Sequence, residues 1–235
     1  MSESAADREM TVLEHLSELR QRLIISSLGI IAGLAISAVF LTWPVIKLLS
    51  EPAGIKLVAI SPGETFGVYM KVALTLGVAL AMPVIVWQAL LFTLPALHRH
   101  ERKYIWIAVP SITLAFAAGL VFGYLVVVPA GVSFLIGFGG DTIQAFWSVD
   151  RYISFISSFL FWIGLSFETP LLMFFVGKLG VVKRSQMVAF RRYALIGAFI
   201  VAAFITPTPD PLNQTMVAVP LYVLFELGLL LMRFA

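Results

Sequence analysis

The chain has 235 residues, of which 60% are apolar and 12% charged, and its mean hydropathy is +0.98. That charged share is about half of what an average soluble domain carries, so a water-soluble globular protein is excluded. The net charge of +3 does not signal nucleic acid either, because the 16 basic residues lie between apolar runs and form no basic stripe with interleaved aromatics. With no cysteine there is no disulfide framework, thiolate nucleophile or Cys-based metal site, and no polar segment is long enough for a second domain.

Residues 1–22 form a polar tail with eight charges, too polar for a signal peptide, and the apolar run behind it is too long for a cleavable h-region. Thr11 and Glu14 stand at capping-box spacing. Leu13, Leu16, Leu19 and Leu23 then recur on one stripe, with Glu18 and Arg22 four apart on another. This predicts an amphipathic helix at the membrane surface that runs into the first span. Glu18 and its neighbours are there either as solvated charges of an interfacial anchor or as a receptor carboxylate facing a groove.

A bilayer core of roughly 30 Å needs about 20 helical residues. Charge-free runs and breakers then predict six transmembrane helices over 23–43, 69–92, 104–128, 151–176, 192–206 and 213–232. The third is expected to end near 128 because Pro129 and the cluster Gly137, Gly139 and Gly140 read as a surface loop. The fourth must pass through Glu168 and the sixth must contain Glu226. Pro207, Pro209 and Pro211 around Asp210 leave the fifth helix short, about 22 Å at 1.5 Å per residue. Such a helix under-spans an ordinary bilayer unless the membrane thins or a partner covers the mismatch. Gly29/Gly33 and Gly119/Gly123 are small-xxx-small pairs suited to close helix packing.

Cations divide unevenly between the two sides of such a bundle. One side takes the N-tail, Arg99, Arg102, Lys103, the five cations from Lys178 to Arg192, and Arg233, twelve in all. The other takes Lys47, Lys56, Lys71 and Arg151. The positive-inside rule puts both termini in the cytoplasm and loops 44–68, 129–150 and 207–212 outside.

Carboxylates inside spans normally face the bundle interior, a cavity or a partner, so Glu168 and Glu226 are site candidates by default. For Glu168, followed by Thr169-Pro170, the alternative is a buried neutral carboxyl held by hydrogen bonds. For Glu226 it is snorkelling to the interface. In the loop from Phe92 to Lys103, Glu101 could serve as a local ion-pair partner for its three cations, and His98 and His100 lack further ligands for a metal. No nucleophile elbow, H-E-x-x-H or phosphate-cradling loop is present, which speaks against an enzyme.

Four segments together resemble one family. They are His15-Leu16-Ser17-Glu18-Leu19-Arg20-Gln21-Arg22, the F-x-x-P-A-L-x-x-H-E-R pattern from Phe92 to Arg102, Gly164-Leu165-Ser166-Phe167-Glu168-Thr169-Pro170, and the run from Thr206 through Asp210 to Thr215. In this order they look like TatC, the multi-spanning component of the twin-arginine protein translocase, and Leu224-Phe225-Glu226-Leu227-Gly228 fits as well. The stretch Thr206-Pro207-Thr208-Pro209-Asp210-Pro211 is one residue longer than the family's T-P-P-D form.

The resemblance implies an all-α, cupped bundle of six transmembrane helices, the last two short, in the cytoplasmic membrane of a prokaryote. It implies a receptor for twin-arginine signal peptides of folded cargo, with TatB-like and TatA-like single-span partners, transport driven by the protonmotive force, self-association in a receptor complex, membrane lipid as surroundings and no cofactor. Carried over residue by residue, it assigns Glu18, Arg20, Phe92, Pro95 and Glu101 to peptide binding. Glu168, Thr206 and Gln214 become docking positions for partner helices, and Pro44 and Asp210 outer-loop positions. Two competing readings are a secondary transporter using Glu168 and Glu226 as a proton relay, and a purely structural membrane subunit. The first lacks inverted repeats and paired broken helices.

Overall fold

A computed structural model describes residues 12–93, 103–137, 146–178, 180–206 and 211–234, and the described residues are almost entirely helical. In chain order the helices are α1 (Val12–Ile36), α2 (Thr42–Ser50), α3 (Glu64–Thr93), α4 (Lys103–Phe122), α5 (Val128–Gly137), α6 (Val149–Phe167), α7 (Thr169–Lys178), α8 (Arg184–Ala189), α9 (Arg191–Ile205) and α10 (Pro211–Leu231).

Two of these pairs are continuous rods with one wide turn inside. A π-turn over Ser37–Leu41 joins α1 to α2, and another over Gly123–Val127 joins α4 to α5. Each lies just before a proline. Pro44 and Pro129 have no N–H for the carbonyl four residues back, and their rings crowd it. Those carbonyls belong to Phe40 and Leu125, and both fall in the wide turns. The helix absorbs the proline by widening instead of ending. In the first rod Thr42 Oγ1 donates to the Ser37 carbonyl at 2.8 Å and steadies the turn.

This corrects two boundaries expected from sequence. The third apolar helix does not stop near 128 but runs through Pro129 to Gly137. Pro44 is not in a loop, because it sits in the first turn of α2, which continues to Ser50. A proline ends a helix only where the carbonyl it orphans cannot be accommodated, and here the π-turn accommodates it.

The antiparallel pair α1 and α3 has a register that can be read from end to end. His15 stacks on Phe92 with ring centroids 4.4 Å apart, and Arg22 reaches Gln88. Gly29 faces Val84, Gly33 meets Gly77, and Ser37 Oγ donates to the Ala73 carbonyl at 2.6 Å. At Gly33 the two backbones touch: a Cβ there would overlap the Gly77 carbonyl, and one on Gly77 would lie 2.7 Å from Leu34 N. The second glycine pair is used in the same way, against α6. A Cβ on Gly119 would lie 2.8 Å from Gly164 Cα, and one on Gly123 2.8 Å from Leu160 Cδ2. Both small-xxx-small pairs therefore pack helices of this chain together.

At the centre stands α6, which touches α2, α3, α4, α7, α9 and α10. Its residues Ile153, Ile156, Phe159 and Ile163 are buried in a core shared with Val68 and Val72 of α3, Val128 and Val132 of α5, and Ala202 of α9. Most other large apolar side chains point outward, including Leu28, Ile31, Phe40, Leu114 and Phe204. An apolar surface around a modest core is what hydrocarbon surroundings allow and water does not.

Five stretches are long and apolar enough to cross a bilayer: Leu13–Ala53, Glu64–Phe92, Trp106–Gly137, Val149–Lys178 and Gln214–Leu231. The helix expected as the fifth span, α9, has 15 residues, and the last, α10, has 21, so these two are the shortest of the six. They pack on each other, and α10 also packs on α7, where Gly228 accommodates Met173. The bundle thus has two ends. One, the N-terminal face, carries the start of α1, the end of α3, α8 and the end of α10. The opposite face carries the connections 51–63 and 146–148.

Candidate functional site

The N-terminal face carries Glu18 and Arg20, the described polar side chains among those expected from sequence to bind a ligand. α1 projects Glu18 and Arg22 from one stripe, and their side chains are only 16% and 27% exposed because α3 covers them. Arg22 Nη2 donates to Glu18 Oε1 at 3.0 Å and Arg22 Nη1 to Gln88 Oε1 at 3.1 Å. Gln88 is itself buried. Two atoms of this group have no hydrogen-bond partner among the described residues, Glu18 Oε2 and Arg22 Nε. A buried carboxylate oxygen without a donor is costly, so Glu18 is a half-filled acceptor.

Arg20, on the same helix, is exposed. Phe92 is half-buried beneath His15 at the last turn of α3 and marks the point where the chain enters residues 94–102. Pro95 and Glu101 lie outside the described residues, as do His98 and His100. Glu18, Arg22, Gln88, His15 and Phe92 are thus one cluster on two helices, and its carboxylate is set to accept a cation. Gln88 was missed from sequence, although a lone amide in an otherwise apolar run is the signal that could have found it.

Partner-docking candidates fall in two places. Glu168 is the residue between α6 and α7, 4% exposed, and its Oε1 has no hydrogen-bond partner among the described residues. Its backbone explains the break, since the Glu168 N–H folds back to the Leu165 carbonyl at 3.2 Å and α7 restarts with Thr169-Pro170. Thr206 and Gln214 lie at the junction of α9 and α10 but do not share a surface. Thr206 caps α9, is 9% exposed, and donates from Oγ1 to the Ala202 carbonyl at 2.9 Å. Gln214 donates from Nε2 to the Phe199 carbonyl at 2.9 Å and edges an open groove along α9 lined by Leu195, Ile196, Ile200 and Phe204. Asp210 lies outside the described residues.

Glu226 does not stand alone at the interface. It accepts from Arg191 Nη2 at 2.6 Å and from the Tyr222 hydroxyl at 2.9 Å, which ties the start of α9 to α10.

The opposite face holds a clasp that the sequence reading did not single out. Glu64 Oε2 accepts from the N–H groups of Ile60 and Ser61 at 2.6 and 3.1 Å, while Oε1 accepts from the Asp150 N–H at 2.9 Å and from Ser148 Oγ. Val58 bridges to the same strand-like segment, with Val149 N donating to its carbonyl at 2.9 Å. Lys71 Nζ pairs with Asp150 at 2.5 Å and donates to Ser154 at 3.2 Å. Ser61 and Glu64 are at capping-box spacing, which is the signal that was available.

No group of three or more His, Cys, Asp or Glu side chains among the described residues could hold a metal. The fold defines a polytopic helical membrane protein with a partly buried polar cluster at the N-terminal end of its bundle. The family model for the Sec-independent protein translocase protein TatC matches residues 14–220. The TatC protein of Carboxydothermus hydrogenoformans is 37% identical over 97% of this chain and 95% of its own length. That of Synechocystis is 36% identical over 93% of this chain and 86% of its own. The chloroplast TATC of Pisum sativum is 34% identical over 97% of this chain, which spans only 65% of that longer protein. Two crystal structures of the twin arginine translocase receptor TatC superpose with TM-scores of 0.84 and 0.85, at 34% and 35% identity over 94% and 93% of this chain and 99% of theirs. The chain belongs to the TatC family of Sec-independent protein translocase proteins, a family of translocase components and not of enzymes.

Proposed function

We propose that this chain is the signal-peptide receptor and core scaffold of a twin-arginine translocase that exports folded proteins across the cytoplasmic membrane of a prokaryote. The observation that carries the reading is the half-filled Glu18 carboxylate on the N-terminal face, beside the chain's entry into the segment that contains Glu101. A pair of arginines wants carboxylates in fixed positions, each able to accept a planar guanidinium in a two-pronged contact. Glu18 is held on a helix and buttressed by α3, so little freedom is lost when it binds. Glu101 is the second acceptor, with Arg20, Phe92 and Pro95 contacting the peptide around its arginines.

The excess of cations on the N-terminal side supports a cytoplasmic location for that face, where a signal peptide arrives before transport. TatB-like and TatA-like single-span proteins dock through Glu168 and the groove at Gln214, with Thr206 and Asp210 at the α9–α10 junction. A short α9 leaves a mismatch that such partner helices cover. Copies of the chain associate in the receptor complex, and the protonmotive force drives transport.

The test is direct binding of a twin-arginine peptide to the full chain in detergent or nanodiscs. Glu18→Ala and Glu101→Ala are each expected to weaken binding at least tenfold, about 1.4 kcal/mol. Unchanged binding in both variants would remove the receptor assignment of these residues.

A further inference from the structure

Arg22 occupies the place where a ligand arginine would be expected, and it does so incompletely. Its guanidinium makes a single contact with Glu18, Nη2 to Oε1, while Nη1 is drawn away to Gln88 and Nε has no partner among the described residues. A residue four positions along the same helix reaches the carboxylate from one side only, and Gln88 fixes it there. Glu18 Oε2 is left buried and without a partner among the described residues.

We infer that Arg22 is an internal competitor for Glu18, a specificity-determining residue that makes the receptor choose arginine over lysine. The inference rests on the reading of Glu18 as the peptide's acceptor. The Glu18 carboxylate is already half neutralised by Arg22, so a bare positive charge gains little by approaching. An incoming guanidinium can close its fork on both oxygens, supply the donor that Oε2 lacks and displace the one-point contact of Arg22. An ammonium brings the same charge without the fork and meets both a satisfied Oε1 and the repulsion of a neighbouring cation. Discrimination here comes from what the wrong ligand cannot overcome, not only from what the right one gains. The pair's partial burial makes this competition stronger than that of a solvated surface pair.

The experiment measures binding of two peptides that differ only in Arg-Arg against Lys-Lys, to the wild-type chain and to Arg22→Gln, in nanodiscs. Arg22→Gln is expected to raise affinity for the Lys-Lys peptide about tenfold and for the Arg-Arg peptide much less, so that the ratio between them collapses. An unchanged ratio, or a loss of both affinities, overturns the inference, the second because it would make Arg22 a support for Glu18. Arg22→Lys keeps the charge on a weaker competitor and covers the case in which Arg22→Gln does not fold; its ratio is expected to fall by a smaller factor, and an unchanged ratio again overturns the inference. Glu18→Gln separates the two levels. If it leaves both peptides bound as before, the acceptor reading itself fails; if it abolishes binding while Arg22→Gln leaves the ratio intact, only the competitor role fails.

Discussion

Glu168 is 4% exposed, and one of its carboxyl oxygens lacks a partner among the described residues. A group buried at such cost adds nothing to the stability of the isolated chain, and exchange for an apolar residue of similar size is commonly neutral or stabilising. Glu168→Met is therefore expected to keep or raise the thermal midpoint of the purified protein, by up to about 1–3 kcal/mol in stability. The same variant is expected to co-purify less with TatA-like and TatB-like partners while retaining peptide binding. A clear drop in thermal midpoint would mean that Glu168 supports the fold, and would sink its assignment to docking. Gln88 and Glu64 differ from Glu168 because their acceptors are filled, by Arg22 in one case and by four donors from Ile60, Ser61, Ser148 and Asp150 in the other. Glu226 belongs with these filled groups. Its pair with Arg191 is 31% and 47% exposed, so its worth is that of a modest surface link.

Among the helices, the contact of α1 with α3 depends on glycine at two distances. At Gly33 a side chain would meet the Gly77 backbone, which cannot move aside, whereas at Gly29 it would meet Val84 Cγ1 at 3.2 Å, a side chain that can shift slightly. Gly33→Ala is expected to destabilise the chain by about 1–3 kcal/mol through overpacking and Gly29→Ala by well under 1 kcal/mol. Thermal unfolding of both variants in the same detergent checks the pair; equal effects would contradict the register read from the structure. The consequence reaches the site, because the same register places Gln88 opposite Arg22 and Phe92 against His15. The π-turns belong to this scale as well. They let two rods continue past Pro44 and Pro129, so the opposite face is built partly of helix where loops were expected.

For the whole molecule, the Glu18–Arg22–Gln88 cluster and the clasp lie at opposite ends of the bundle, and the cation asymmetry underlies the proposal that the first faces the cytoplasm. The chain has no cysteine, so single introduced cysteines can report this without background. Ile60 and Val181 are 69% and 71% exposed and lie at opposite ends. In intact cells Ile60→Cys is expected to react with a membrane-impermeant maleimide, and Val181→Cys only after permeabilisation. The reverse pattern would invert the proposed topology and separate Glu18 from arriving cargo.

At this same scale the division between sequence and structure becomes clear. Apolar run length, charge placement and collinear motifs determined from the sequence alone that this is a six-helix membrane bundle of the TatC family with a short α9, because the bilayer imposes length and polarity on each segment separately. Glu18 and Arg22 were visible as neighbours for the same reason: four residues on one helix is a local distance. Only the tertiary structure decided that Arg22 is shared with Gln88, that Glu18 keeps one oxygen without a partner among the described residues, that Glu64 clasps two connections, and that Pro129 does not end its helix. Each of those depends on what a second element brings within hydrogen-bond or packing distance, 66 residues away in the case of Gln88. No periodicity within a single segment carries that information.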